Sequence, residues 1–346
     1  MNPDIPGPIF IGGLDRSGTS LIYALLASHP RIAMTRRTNW WSYFADQYDD
    51  LEDDANLDRL LAKMSRYRRH RKLDPDFASL RAAFVSGPRT YGRLFGLLEA
   101  QNAERLGKPR WGDKSLHTER YADRVFTDFP TARLVHMVRD PRDRYASVLK
   151  RWKRLRGGVG AATAAWLASV RLAEQNSRNH PQQYLILRYE DLASDPESQL
   201  RRVSEFIGEA YDPTMLGMDA AEDFRASGGN SSYGGFEAGT ISTRSIGRFR
   251  DSISLSDVAF IQATAGDAMA RLGYEAVATD VPMPSRIAHL VLRWPKNLAT
   301  MQAWQVRERF DDLRGRSPNA ETLADRGGDR ESPTHGTEST SQDLKE

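Results

Sequence analysis

The sequence predicts an α/β protein: three layers, with a mostly parallel sheet and helices on both faces. Three observations predict it. PIFIGG at 8–13 is a short apolar run that leads directly into a glycine-containing loop and then into TSLIYALLAS at 19–28, whose apolar residues have helical spacing. ARLVHMV at 132–138 and YLILRY at 184–189 have the length of buried strands. Helically patterned segments separate these runs, and strands alternating with helices build a parallel sheet between helical layers.

Each element has its own signals. His29-Pro30 ends the first helix. Residues 38–106 are rich in aromatics and charge and mostly helical in pattern, punctuated by Asp74-Pro75 and Gly87-Pro88. Lys108–Gly112 reads as a turn into Asp113-Lys114-Ser115, with a helix over 117–128. Asp140 before Pro141 is a helix cap followed by proline at the first helical position. That helix is broken by Gly157, Gly158 and Gly160, and further helices cover 161–179, 195–208 and 255–272. Ser, Gly, Thr and Asn dominate 226–247, which reads as a flexible loop that orders when nucleotide binds. A single domain is expected over 1–310. The polar stretch 315–346 has too little apolar surface to offset ordering entropy and reads as a disordered tail.

Composition narrows the function. Hydrophobic residues make up 40% and charged residues 27% of 346, ordinary for a globular chain. A net charge of +3 is too small to argue for a nucleic-acid partner. The absence of cysteine excludes disulfides, thiolate chemistry and cysteine-ligated zinc, and it fits a reducing compartment. MNPDIPGPIFIGG has neither the basic nor the long apolar region of a secretory signal. No apolar run reaches the roughly 18 residues of a membrane span. A cytoplasmic location is the expectation.

The chemistry begins at Gly13-Leu-Asp-Arg-Ser-Gly18, which has the G-x-x-x-x-G spacing of a phosphate loop after a strand and before a helix. Glycines let backbone amides approach phosphate oxygens, and the helix N-terminus adds its dipole. A nucleoside triphosphatase would continue with Lys and then Ser or Thr. Here Thr19 and Ser20 follow, and the charge comes from Arg16 inside the loop.

These residues resemble the sulfotransferases that use 3′-phosphoadenosine 5′-phosphosulfate (PAPS). FIGGLDRSGTSLI at 10–22 is similar to that family's x-R-S-G-T-[ST] loop, so Arg16, Ser17, Gly18, Thr19 and Ser20 are implied to bind the 5′-phosphosulfate. VRDPRDRYASVLKR supplies Arg139 and, eight residues on, Ser147, the spacing at which the family binds the 3′-phosphate. Arg151, Tyr189 in RYEDL, and Gly247 and Arg248 in SIGRFRDSIS, with Ser245 and Arg250 nearby, match softer features of the tyrosylprotein-type members. The resemblance runs over about residues 8–275 and implies sulfuryl transfer without a metal, with Arg16 polarising the sulfate and Lys114 in WGDKS reaching the bridging oxygen.

The acceptor side departs from the tyrosylprotein pattern. Their general base is a Glu that aligns with Arg37, and an Arg cannot act as a base at pH 7. Asp113, next to Lys114, is the preferred base. His117 and Glu119 are alternatives, with His136 and Asp46 behind them; each also reads as a structural group, and for most of them that is the favoured reading. Arg36, Arg37, Trp40, Trp41 and Tyr43 read as an acceptor wall or as an aromatic core helix. Aromatic faces suit sugar rings, so a carbohydrate, glycolipid or other small-molecule acceptor is expected. Residues 284–304, with Arg286, Arg293 and Lys296, form a basic amphipathic segment that suits peripheral membrane contact or packing on the domain or on a second subunit of a homodimer. A phosphoryl-transferring kinase and a non-catalytic nucleotide-binding protein are the rival readings.

Overall fold

Five strands carry the fold: β1 (Ile9–Gly12), β2 (Ile32–Arg36), β3 (Arg110–Lys114), β4 (Arg133–Val138) and β5 (Tyr184–Arg188). They pair in the order β2-β3-β1-β4-β5, and every pairing is parallel. The computed structural model describes residues 7–115, 117–151, 157–221, 224, 240–279 and 289–313. The described helices are α1 (Thr19–Ala27), α2 (Trp40–Tyr43), α3 (Asp54–Arg66), α4 (Arg68–Arg71), α5 (Phe77–Val85), α6 (Tyr91–Arg105), α7 (Ala122–Asp128), α8 (Pro141–Arg151), α9 (Gly158–Asn179), α10 (Tyr189–Ser194), α11 (Pro196–Ile207), α12 (Phe249–Ser252), α13 (Leu255–Arg271) and α14 (Trp294–Leu313).

Strand residues point alternately to the two faces of the sheet. Phe10, Trp111 and Leu134 face a core built with Trp40, Phe95 and Phe129. Ile9, Ile11, Met34, Val135 and Met137 face the opposite core with Leu21, Leu25, Leu200 and Val203 of α1 and α11. A third cluster joins Trp166 of α9 to Phe260 and Ile261 of α13. Parallel strands buried on both faces are what the helical layers require.

Two strands were not legible as strands. RWGDK reads as a turn because it carries three charges and a glycine, yet all five residues are buried. Partners across the sheet make this tolerable. Arg110 donates from Nε to the Gly7 carbonyl at 2.7 Å and from Nη1 to the Ile207 carbonyl at 2.7 Å, and it pairs with Glu209 at 3.3 Å. A buried guanidinium needs such partners. Tyr189, expected at the end of the third strand, is instead the first residue of α10. The helix expected from 161 starts at Gly158, after Gly157 in a left-handed conformation.

Trp40 and Trp41 are core residues and not part of an acceptor wall. Trp40 is fully buried and stacks on Phe95 with centroids 5.1 Å apart; Trp41 meets the same ring edge-on at 6.1 Å. Tyr43 packs against this core. The basic segment expected over 284–304 leans on its own domain where it is described: Trp294 meets Phe260 edge-on at 5.2 Å, and Glu308 of the same helix pairs with Arg120. Residues 284–288, with Arg286, lie outside the described residues, as do 226–239 of the expected loop and the whole of 315–346. Among the described residues no helix is long and apolar enough to cross a membrane.

Phe10 joins the central strand to this aromatic core, against Trp111 at 5.8 Å and Phe129 at 6.0 Å. Phe10→Ala leaves a cavity there and costs about 3–5 kcal/mol of stability. Urea unfolding followed by tryptophan fluorescence measures it; a loss below about 1 kcal/mol would show that the site collapses without penalty.

Candidate active site

All strands run the same way, so Gly12, Arg36, Lys114, Val138 and Arg188 end on one edge of the sheet. The crevice at the carboxyl ends of such strands, where the crossover direction reverses, is where open α/β sheets bind ligands. Here the reversal falls beside β1, between β3 on one side and β4 on the other.

The loop after β1 fills that crevice. Gly13 has φ 111° and lies so close to β4 that a Cβ would collide with the Met137 carbonyl. Its N–H donates to Glu119 Oε2 at 2.9 Å. Arg16 has φ 67°, a left-handed conformation that is strained for a residue with a Cβ. Gly18, at φ 93°, precedes α1 and offers no side-chain cap; its carbonyl accepts the Leu21 N–H at 2.9 Å. Ser17 and Thr19 are buried and Ser20 is exposed.

The second segment closes on the first. Arg16 Nε donates to Ser147 Oγ at 2.9 Å. Arg139 donates to the Arg16 carbonyl at 3.2 Å and to the Ser245 carbonyl at 2.7 Å, and its guanidinium carbon lies 4.5 Å from the centroid of the Tyr189 ring. Among the described residues, Arg139 Nε is buried without a hydrogen-bond partner. Asp140 accepts the Arg142 N–H at 2.9 Å and so caps α8. Arg144 on α8 donates to the Asp15 carbonyl at 3.1 Å and to Asp15 Oδ1 at 2.9 Å, tying the loop down.

The segment 245–250 is fastened to α8 as well. Asp143 accepts the Gly247 N–H at 2.7 Å and the Phe249 N–H at 2.8 Å. Ser245 Oγ and the Tyr189 hydroxyl lie 2.5 Å apart. Tyr189 itself is buried, its ring at the position a Cβ on Gly18 would need. Arg248 is half-buried, with Nε 3.3 Å from Ser252 Oγ, and the Arg250 guanidinium lies over Phe249. Arg151, the last residue of α8, is exposed and close enough to Arg37 to lower its pKa.

Lys114 ends β3, nearly buried; burial, and then Arg37 and Arg36, lower its pKa to about 8. Asp113, expected beside it as the base, faces the other way. It is fully buried on the α6 side, where Oδ1 accepts from Thr38 at 2.9 Å and from Thr35 at 3.1 Å, and Thr35 also donates to Glu99 at 3.0 Å. Burial pushes both carboxyls up, Glu99 well above the usual range. Successive strand residues point to opposite faces, so an acceptor poised at Lys114 cannot reach Asp113. The preference for Asp113 as the base is corrected on that geometry.

Of the other expected bases, Asp46 pairs with Arg124 at 3.1 Å on the surface. His136 is fully buried, its ring nitrogens 2.6 Å from the Tyr184 hydroxyl and 3.1 Å from Ser169 Oγ. His117 and Glu119 differ from these. They line a cavity of about 220 Å³ together with Asp15 and Arg144 of the loop assembly. His117 Nδ1 lies 4.0 Å from Glu119 Oε1 and has no hydrogen-bond partner among the described residues. Burial lowers the His117 pKa, which keeps the ring neutral at pH 7. For Glu119 burial pulls upward, but His136, His117 and the Gly13 amide outweigh it and hold the carboxyl below its usual range.

The sequence does not single out Arg69 and Lys72. They face Arg36 across a cleft of about 430 Å³ on the β2 side of the loop. The signal for them is the run RYRRHRK at 66–72, in which five of seven residues are Arg or Lys.

A family model described as the sulfotransferase family matches residues 8–213. Protein-tyrosine sulfotransferase A of Caenorhabditis elegans is 26% identical over 214 residues, 60% of this chain and 51% of that protein. Carbohydrate sulfotransferase 2 of Homo sapiens is 32% identical over 94 residues, 27% of this chain and 17% of that protein. The chain thus spans about half the length of the nematode relative. The sulfotransferase domain from the curacin biosynthetic pathway superposes with a TM-score of 0.51 at 18% identity, covering 79% of this chain and 99% of that domain, and so shares the fold.

The charge on Lys114 gives a stability prediction. With a folded pKa of about 8 against about 10.4 when unfolded, the unfolded chain binds more protons between those values, so charged Lys114 costs stability that is recovered as pH rises. Lys114→Met therefore exceeds the parent in stability most at pH 7, and its margin narrows from pH 8 to about 10.4. Urea unfolding of both proteins across that range checks it; a constant margin would contradict the assignment.

Proposed function

The chain belongs to the sulfotransferase family, and we propose that it transfers a sulfuryl group from PAPS to a hydroxyl of a carbohydrate, glycolipid or other small-molecule acceptor. One observation carries this reading. Arg16 of the loop, Ser147 and Arg139 form a single bonded unit at the carboxyl edge of the sheet, although Arg16 and Arg139 are 123 residues apart in sequence.

The residues fit the nucleotide. Among the described residues, Arg139 Nε is a buried donor without an acceptor, and α1 begins without a capping side chain. Arg16, Ser17, Gly18, Thr19 and Ser20 would hold the 5′-phosphosulfate, and Arg139 and Ser147 the 3′-phosphate, with Arg151, Tyr189, Gly247 and Arg248 around the rest. When bound, PAPS supplies a sulfuryl group already activated as a mixed anhydride. The protein supplies positive charge at Arg16 and Lys114, which favours anionic oxygens before and during transfer. Sulfuryl carries less negative charge than phosphoryl, so these groups and the loop amides suffice without a metal.

A hydroxyl nucleophile benefits from a base whose pKa lies near the working pH. We assign that role to His117, which is neutral and opens on the cavity beside Asp15. It takes the hydroxyl proton on Nε2, the nitrogen other than the one beside Glu119. Glu119, anchored to the Gly13 amide at 2.9 Å, stabilises the resulting imidazolium.

Calorimetry without metal is expected to show 3′,5′-ADP binding at micromolar Kd, 5′-AMP binding far more weakly, and Arg139→Ala losing at least about tenfold, the effect of removing a charged hydrogen-bond donor. Tighter binding of ATP that requires Mg²⁺ would sink the proposal and favour a phosphoryl-transferring kinase. His117→Asn is expected to lower turnover by about 10²–10⁴-fold while leaving 3′,5′-ADP affinity in place; unchanged turnover would remove His117 from the mechanism.

A further inference from the structure

The cavity of about 220 Å³ that His117 lines has one wall from outside the loop assembly. That wall is α14, which lies beyond the residues 8–213 matched by the family model. Trp304 and Glu308 of α14 line the cavity together with Ala162, Ala165 and Leu172 of α9. Val148 of α8 adds apolar surface next to the 3′-phosphate candidate Ser147.

The wall is fastened along its length. At its start, Trp294 meets Phe260 of α13 edge-on at 5.2 Å. Next, Gly160 of α9 lies so close to α14 that a Cβ there would collide with the Asn297 carbonyl and with Thr300 Oγ1. A residue without a side chain permits that approach. Farther on, Glu308 pairs with Arg120, three residues after His117. Thr300, Trp304 and Glu308 follow one another at intervals of four, so they share one face of the helix. The face that packs on α9 and Arg120 is therefore the face that presents the Trp304 ring to the cavity.

Charge in the cavity is matched. Among the described residues, Asp15, Glu119 and Glu308 stand with Arg120, Arg144 and Arg307 in its lining. Arg144 donates to Asp15 at 2.9 Å, Arg120 pairs with Glu308, and Arg307 is exposed. A charged ligand would have to compete with pairs already made. A sugar would bring several hydroxyls, each costly if buried without a partner. What the cavity offers instead is apolar surface and His117, whose Nδ1 has no hydrogen-bond partner among the described residues. The space suits one ring: an apolar cavity of about 150 Å³ holds benzene, whereas drug-sized ligands take roughly 300 Å³ or more.

We propose that this chamber receives the hydroxyl-bearing end of the acceptor, that this end is uncharged, apolar and about the size of one aromatic ring, and that Trp304 of α14 determines that specificity. The proposal rests on the sulfuryl-transfer reading and narrows its acceptor to the small-molecule class. A second hollow of about 420 Å³ shares Arg120, Leu172, Trp304 and Glu308 as walls and adds Arg171, Gln175 and Gln305. It gives room for a polar remainder of the acceptor on the far side of that shared wall.

The test uses the full chain and calorimetry with 4-ethylphenol, 4-hydroxybenzoate and methyl β-D-glucopyranoside: a neutral aryl, an anionic aryl and a neutral sugar hydroxyl. 4-Ethylphenol is expected to bind at least about tenfold more tightly than either of the others, as apolar burial and unpaired polar groups dictate. Trp304→Ala should weaken 4-ethylphenol at least about fivefold. Ala165→Leu, which fills the chamber from a half-buried position, should weaken it at least about tenfold. Both variants should keep 3′,5′-ADP affinity within about twofold, since the nucleotide residues are separate from them. With PAPS supplied, 4-ethylphenyl sulfate should form, and Trp304→Ala should raise KM for 4-ethylphenol more than it lowers kcat. Three results would overturn the proposal: 4-ethylphenol binding no tighter than the glucoside, an affinity unchanged in both variants, or bound 4-ethylphenol left unsulfated by a protein that binds 3′,5′-ADP. So would a Trp304→Ala protein that sulfates all three compounds faster, because α14 would then be a cover and not a recognition element. Each titration is run with and without saturating 3′,5′-ADP. Failure of 3′,5′-ADP to bind counts against sulfuryl transfer, while the 4-ethylphenol comparison still decides the chamber.

Discussion

The fold depends on holding one short loop in a conformation it would not adopt alone. Arg16 is left-handed, Gly13 touches the backbone of β4, and Gly18 leaves α1 without a side-chain cap. Three anchors compensate: Glu119 on the Gly13 amide, Arg144 on Asp15, and Arg139 on the Arg16 carbonyl. Each comes from an element that follows a different stretch of chain, so the loop is made rigid only when β3, β4 and α8 have assembled. Strained backbone persists where its surroundings over-determine it, and such places cluster at functional sites.

The same anchors distribute charge. Glu119 sits between the loop and His117, so one carboxylate positions an anion-binding amide and biases a titratable ring. Asp143 fastens the segment 247–249 to the helix that carries Ser147. Lys114 is left among arginines and loses part of its proton affinity. Its charge is unfavourable in the free protein and favourable beside an anion. That is the electrostatic state of a site built to bind negative charge.

On the other face of the sheet, polar groups are buried for packing. Asp113, Thr35, Thr38 and Glu99 hydrogen-bond to one another beneath an aromatic core that includes Trp40 and Trp41, with Asp113 Oδ2 and Glu99 Oε2 left without a partner among the described residues. This core supports α4 through His70 and so sets where Arg69 and Lys72 emerge. The cationic cleft touches both cores: Met34 and Ala221 of its lining belong to the core under α1, and Leu73 packs against the aromatic one.

The sequence by itself determined the α/β class, three of the five strands and the glycine loop. Those features are encoded locally: an apolar run of strand length, a G-x-x-x-x-G turn, a helix with its stop signal. Arg139 and Ser147 were expected from the family resemblance alone, which carries over at the spacing of one strand–helix unit. Tertiary structure alone decided the rest. RWGDK is a strand because Gly7, Ile207 and Glu209 meet Arg110, which no neighbour in sequence could announce. Asp113 and Lys114 are adjacent in the chain but serve opposite faces, since pleating separates consecutive side chains. Arg36, Arg69 and Lys72 share a cleft although β2 and α4 are well apart in sequence. Local periodicity fixes which element a segment forms, whereas burial and charge pairing depend on which distant segments pack against it.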